Sequence, residues 1–149
     1  MIWAGMDSPL GPIAIEEKGG LITALQWNAA PAPITPLLAE AVAQLQAYFD
    51  RRLTRFDLPL DMGAGFQGMV NRAMFDIPFG DTKTYGDLAK ALGRPAQAIG
   101  QGCGANAIPI LIPCHRVLGA KTLGGFSAKG GVESKVFLLR LEGAAGLLI

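Results

Sequence analysis

Cys114 and His115 are neighbours in a chain of 149 residues that holds one other cysteine, Cys103, and no other histidine. A thiol is a strong nucleophile only as its thiolate, so a base or cation nearby must lower its pKa from about 8.5. An adjacent histidine is a base of the right kind. Neighbours on an extended strand point to opposite faces, so contact between these two needs a turn, or a water between them. A histidine base is usually oriented by a carboxylate. Glu142 is the best choice: on a helical wheel it falls between Leu138 and Leu139, inside an apolar arc. It also lies at a helix C-terminus, where negative charge is disfavoured. Lys135 shares nearly the same stripe, and by that token Glu142 reads as an ordinary solvated residue. The residues alone leave two readings open: a reactive thiol, or an inert buried cysteine beside a satisfied histidine.

Composition narrows the setting. Half of the residues are hydrophobic, enough for a packed core in one domain or two small ones. Two cysteines and one histidine leave a tetrahedral zinc site one ligand short, and no disulfide framework is possible on so few; no metal is expected. Free cysteines point to a reducing compartment. Met1 to Gly5 lacks the basic and apolar stretches of a signal peptide, and no apolar run is long enough to span a bilayer. A cytoplasmic protein without a membrane partner is expected. Net charge is +1, unevenly spread. Residues 1–80 carry five basic and eight acidic groups and the remainder eight and four, a weak pointer to an anionic partner of the second half.

The elements that must position the pair follow from periodicity. Ile13-Ala14-Ile15 and Leu21 to Trp27 are β-prone, with Gly19-Gly20 as the turn between them. Residues 28–35 read as a Pro-rich loop. Leu38, Val42, Leu45 and Phe49 form the buried stripe of a helix. Phe56 to Leu60 reads as a further strand, at an edge because of Pro59. Met62 to Gly65 links two units, predicted at 1–62 and 63–149. Beyond it Phe66, Val70, Ala73 and Ile77 share a helical face. Thr84 with Asp87 makes a capping box for a helix ended by Gly93, and Pro95 opens the first turn of the next. Two short helices so joined have the look of a helix-turn-helix. In the second, Ala96, Gly100 and Gly104 leave one stripe almost without side chains. Tight packing on a neighbour, a loop instead of a helix, and a helix shaved to enter a groove all fit that pattern. Ile108 to Ile112 is a short buried run leading to Cys114, and Val132 to Leu141 is a last helix closed by Gly143. The fold class is α/β (α+β): a small sheet-plus-helix domain, then a mostly helical, winged helix-turn-helix-like domain.

Ile110-Leu111-Ile112-Pro113-Cys114-His115-Arg116-Val117 resembles the signature of the O6-alkylguanine-DNA alkyltransferases, or methylated-DNA–protein-cysteine methyltransferases. The resemblance runs from about residue 63 onward. It includes Ile77-Pro78-x-Gly80, Thr84-Tyr85-Gly86-x-Leu88-Ala89, Ala98-Ile99-Gly100, Asn106, Leu123-Gly124-Gly125-Phe126 and Lys135-x-x-Leu138-Leu139-x-x-Glu142-Gly143. Ser8-Pro9-Leu10-Gly11 is compatible with that family's variable first domain. The resemblance implies irreversible, single-turnover repair of O6-alkylguanine in duplex DNA by a monomer that needs no cofactor. Cys114 would accept the alkyl group. His115 would take its proton through a water, Glu142 would hold the imidazole, and Asn106 would fix the turn. Tyr85, Arg94, Ala96, Gln97 and Gly100 would meet DNA. Cys103, Pro109, Phe126 and Ser127 would wall the pocket of the flipped base.

Two residues depart from the family pattern. Gln97 stands where an arginine finger is usual, and Phe126 where many members have a tyrosine. Both feed an alternative, a lesion-binding sensor with weak or no transfer. A cysteine hydrolase is a third reading, disfavoured because an adjacent Cys-His pair is not how such dyads are spread along a chain.

Overall fold

Three antiparallel strands, β1 (Ile2–Ser8), β2 (Gly11–Lys18) and β3 (Leu21–Gln26), form one sheet in chain order. They belong to a computed structural model in which residues 1–126 and 130–144 are described. The chain divides into two units, Met1–Asp61 and Met62–Ile149. In the first, β2 is central, and Ile13, Ala14 and Ile15 are all buried because both of its faces are covered. The hairpin between β2 and β3 turns on Gly19 and Gly20, whose φ values of 61° and 79° suit glycine. Strand β1 was not among the expected elements: only its Ala4 is buried, so it carries no apolar alternation. The Pro-rich loop closes on it, with Gly5 N–H donating to Pro31 O at 2.7 Å. A Cβ at Gly5 would lie 2.3 Å from Ala30 O, so no larger residue fits there.

Helix α1 (Pro36–Phe49) packs on β1 and β2. Thr35 caps it, accepting from Leu38 N–H, and Pro36 occupies the first turn, where its missing N–H is harmless. Its buried stripe is Leu38, Ala41, Leu45 and Tyr48, not the expected Leu38, Val42, Leu45 and Phe49. The small Ala41 lets the helix approach the sheet, and Tyr48 packs against Phe56 at 5.3 Å between ring centroids. The strand expected at Phe56–Leu60 is a single bridge, Ile22 with Leu60. Pro59 offers a carbonyl to Ile22 N–H but has no N–H to extend a ladder.

The second unit holds the Cys-His pair. Its elements are α2 (Gly65–Phe75), β4 (Lys83–Thr84), α3 (Tyr85–Leu92), α4 (Ala96–Gly104), a 3₁₀ turn at Cys114–Arg116, β5 (Val117–Leu118) and α5 (Val132–Glu142). The mixed α/β class is as expected from sequence. On α2 the buried residues are Gly68, Val70, Asn71 and Met74, so the face is turned from the expected one; Phe66 and Ala73 are half-buried. The capping box at α3 is complete, Thr84 Oγ1 accepting from Asp87 N–H and Asp87 Oδ2 from Thr84 N–H. Gly93 ends the helix in the left-handed region. Pro95 is the N-cap of α4, one position earlier than expected. Strands β4 and β5 pair in parallel, Lys83 with Val117 and Thr84 with Leu118. This short ladder ties the start of α3 to the residues that follow Cys114. Among the described residues no helix is long and apolar enough to cross a membrane.

The glycines of α4 separate cleanly. A Cβ at Gly102 would meet Val70 at 3.0 Å, so this glycine allows α2 and α4 to approach. A Cβ at Gly100 or Gly104 would meet nothing within 4 Å. The stretch is therefore a helix, and its small-residue stripe is not packed on a neighbour. Gly100→Ala is expected to stabilise the protein by up to about 1 kcal/mol, read from the urea midpoint. Gly102→Ala should lose that gain or reverse it, since Val70 is fully buried and stiff at χ1. Equal midpoints for the two variants would contradict this account.

Candidate active site

Cys114 is delivered by a turn that is held from inside. Ile108, Ile110, Leu111 and Ile112 are buried without exception. Asn106 clamps them: its Oδ1 accepts from Ile108 N–H at 2.9 Å, and its Nδ2 donates to Ile112 O at 2.8 Å. The same Ile112 carbonyl accepts from Cys114 N–H. Ile110 sits at φ 70°, an unusual conformation for a β-branched residue that persists only where surroundings over-determine it. The turn then enters the 3₁₀ segment, so Cys114 and His115 do not alternate as on a strand.

His115 is fully buried, and its Nε2 lies 2.6 Å from Glu142 Oε2. Glu142 also accepts from Arg116: Nε donates to Oε1 at 2.8 Å and a terminal nitrogen to Oε2 at 3.0 Å. Arg116 donates onward to Ile77 O at 2.6 Å, and its guanidinium lies 5.9 Å from the Phe79 ring centroid. Burial by itself would raise the Glu142 pKa, but the hydrogen bonds and charges of His115 and Arg116 outweigh it and hold the carboxyl at about 2. Burial pushes the His115 pKa down, against the pull of Glu142. The pair is thus a carboxylate and a neutral imidazole. Nε2 carries the proton that Glu142 accepts, which leaves a lone pair on Nδ1. Nδ1 is buried and, among the described residues, has no hydrogen-bond partner. A base with its lone pair free is the chemical result.

The thiol faces a cavity of about 350 Å³ lined by Tyr85, Gly100, Cys103, Gly104, Cys114, Gly125 and Phe126. That volume lies within the range of small-molecule sites, about 300–1,000 Å³. Burial raises the Cys114 pKa, while Asn106 and Lys135 oppose the rise. The resting thiol is therefore protonated, and a base is needed when it reacts. Lys135 is fully buried; its Nζ donates to Val117 O at 2.6 Å and Gly125 O at 3.1 Å. Burial lowers its pKa to about 8.

Cys114, Cys103, Tyr85, Gly100 and Phe126 line this space; Asn106 holds the turn that leads to the cysteine, and His115, bonded to Glu142, follows Cys114 in the 3₁₀ turn. Pro109 is buried and bridges to Ile112, but is not among the described lining residues. Ser127 lies outside the described residues. Ala96 and Gln97 are exposed in the first turn of α4, and Arg94 is exposed just before it, its guanidinium 5.8 Å from the Phe66 centroid. Arg116 and Lys135 are functional neighbours that residue reasoning missed. From sequence, Lys135 on the Glu142 stripe reads as a sign of solvent, yet both are buried. The signal was present: two charges two helical turns apart on an otherwise apolar stripe need internal partners. Among the described residues no three metal-ligating side chains converge.

A thiol backed by a histidine–carboxylate pair and opening on one cavity marks a protein that works through a covalently modified cysteine. Residues 65–144 match the DNA-binding domain of the 6-O-methylguanine DNA methyltransferases, and residues 1–62 match their ribonuclease-like domain. The methylated-DNA–protein-cysteine methyltransferase of Mycobacterium leprae is 41% identical over 92% of this chain and 89% of its own. The constitutive one of Bacillus subtilis is 38% identical over 91% and 92%. Mycobacterium tuberculosis OGT in complex with DNA superposes with a TM-score of 0.83 at 40% identity, covering 94% of this chain and 91% of that one. The chain belongs to the 6-O-methylguanine DNA methyltransferase family.

Glu142 makes stability depend on acid. Its carboxyl titrates near 4.5 when unfolded and at about 2 when folded. Its contribution is fully present above about pH 4.5, and is lost as pH falls toward 2 because the unfolded chain takes up the proton first. The size is on the order of 3 kcal/mol. Glu142→Gln should be less stable at neutral pH by roughly that amount, and its urea midpoint should converge with that of the parent between pH 4.5 and 2. Parallel profiles would count against the charge pair.

Proposed function

We propose that this chain repairs O6-alkylguanine in duplex DNA by moving the alkyl group onto Cys114. The sulfur attacks the alkyl carbon, the carbon–O6 bond breaks, and guanine leaves with the electron pair and takes up a proton. The thioether is not hydrolysed, so one molecule repairs one lesion, and no cofactor takes part. His115 accepts the thiol proton at Nδ1 through a bridging water, and Glu142 fixes the tautomer that makes this possible. Asn106 positions the cysteine turn. The observation that carries this reading is the buried His115–Glu142–Arg116 chain behind a thiol that lines a cavity.

The reacting atom is inside the duplex, so the nucleotide must be swung out of the stack. In this reading the bare face of α4 at Ala96 and Gly100 enters the minor groove, Arg94 meets phosphate, and Tyr85 presses on the target nucleotide. Cys103 and Phe126 wall the space of the flipped base, and Pro109 belongs to the buried run that leads to the cysteine. The first domain spans residues 1–62 and the DNA-binding and alkyl-transfer domain residues 63–149. The protein acts as a monomer in the cytoplasm. Gln97 fills the space left by the guanine with a neutral amide, which hydrogen-bonds the orphaned base but stacks less well than a guanidinium.

Incubation with a duplex carrying one O6-methylguanine should add about 14 Da, mapped to Cys114, as expected for covalent capture at a cysteine. Cys114→Ser should show no gain. A duplex that binds in preference to an undamaged one yet adds no mass would favour the sensor reading that Gln97 and Phe126 raise. Gln97→Arg should tighten binding to the lesion duplex several-fold; a marked loss of affinity would show that Gln97 is not at the intercalating position.

A further inference from the structure

Capture of a simple alkyl group uses one of the two thiols in the cavity and leaves the other idle. Cys103 and Cys114 are both free and buried, and both line the same space. Burial first, and then the nearby Cys114 thiol, push the Cys103 pKa up to about 12, while Lys135 opposes. The wall beside them is open. Gly100, Gly104 and Gly125 line the cavity, and a Cβ on any of them would meet nothing within 4 Å. An alkyl group longer than methyl therefore has room beside both sulfurs.

We propose that Cys103 is a second acceptor, reserved for O6-alkyl groups that carry a leaving group on their far carbon, such as a 2-haloethyl group. The inference rests on the transfer to Cys114 proposed above. Cys114 sulfur first bonds to the carbon on O6, and guanine departs with the electron pair and a proton. The new thioether sulfur then expels halide from the neighbouring carbon and closes a three-membered sulfonium ring. Cys103 sulfur attacks a ring carbon, the ring opens, and the Cys103 proton passes to solvent. Two S–C bonds form, one C–O and one C–halogen bond break, and guanine and hydrogen halide are released. Water competes for the sulfonium ion, and a thiol that lines the same cavity has the advantage of proximity over it. The protein thereby ends as a closed ring instead of holding a reactive group that can attack DNA.

Intact-mass analysis after incubation with a duplex carrying O6-(2-chloroethyl)guanine tests this, with an O6-methylguanine duplex alongside. The bridge adds about 26 Da and links the peptides containing Cys103 and Cys114. Cys103→Ser and Cys103→Ala should instead end with hydroxyethyl, about 44 Da, or chloroethyl, about 62 Da, on Cys114 alone. The unmodified chain ending at about 44 or 62 Da, with no linked peptides, would overturn the proposal. A gain from the methyl duplex with none from the chloroethyl duplex would overturn it too. No gain from either would overturn the transfer itself.

Discussion

A carboxylate without access to water must find its counter-charges inside the protein, and Glu142 finds them in His115 and Arg116. Much of the second unit is arranged around that need. Arg116 reaches Glu142 because it follows His115 in a 3₁₀ turn, and it is held there by Ile77 O and the Phe79 ring. Removing one partner of such a buried pair typically costs about 3–5 kcal/mol, because the other charge is stranded. The pair also solves a problem at the end of α5. A carboxylate in the last turn opposes the helix dipole, and two donors from the cysteine segment offset that penalty. The structural anchor and the tautomer of the imidazole are thus set by one group.

The thiol sits at the opposite extreme. Cys114 is buried, and that burial raises its pKa, with Asn106 and Lys135 opposing the rise. This combination keeps the cysteine inert toward adventitious electrophiles until a base acts. A strained Ile110 and the Asn106 clamp hold the turn in place, so the sulfur is positioned by the hydrogen bonds of a side chain that never reacts.

The sequence made the core of the site legible because its chemistry is local. Cys114 and His115 are adjacent, and Asn106 and Glu142 stand out as polar residues in apolar surroundings. Arg116 was inside the same motif, but nothing in one dimension says which way a guanidinium turns. Lys135 reads in one dimension as a sign of solvent, since a buried lysine needs carbonyl acceptors, here Val117 and Gly125, that spacing does not reveal. The helices were found by periodicity, yet their faces were rotated. On α1, Val42 and Phe49 are more hydrophobic than Ala41 and Tyr48, but fit against the sheet favoured the small residue and the ring that meets Phe56. Strand β1 and the two-residue ladder of β4 and β5 depend on backbone partners far along the chain, and side-chain patterns do not announce them.

Lys135 and Glu142 are seven residues apart on α5, a single eleven-residue helix. Seven residues are close to two full turns, so both charges point the same way. Inserting or deleting one residue between them would swing one about 100° away from the other. The electrostatic surroundings of the thiol and the orientation of its base are therefore locked in phase by helix geometry. Within this segment the chain can change its letters, but it cannot change its length.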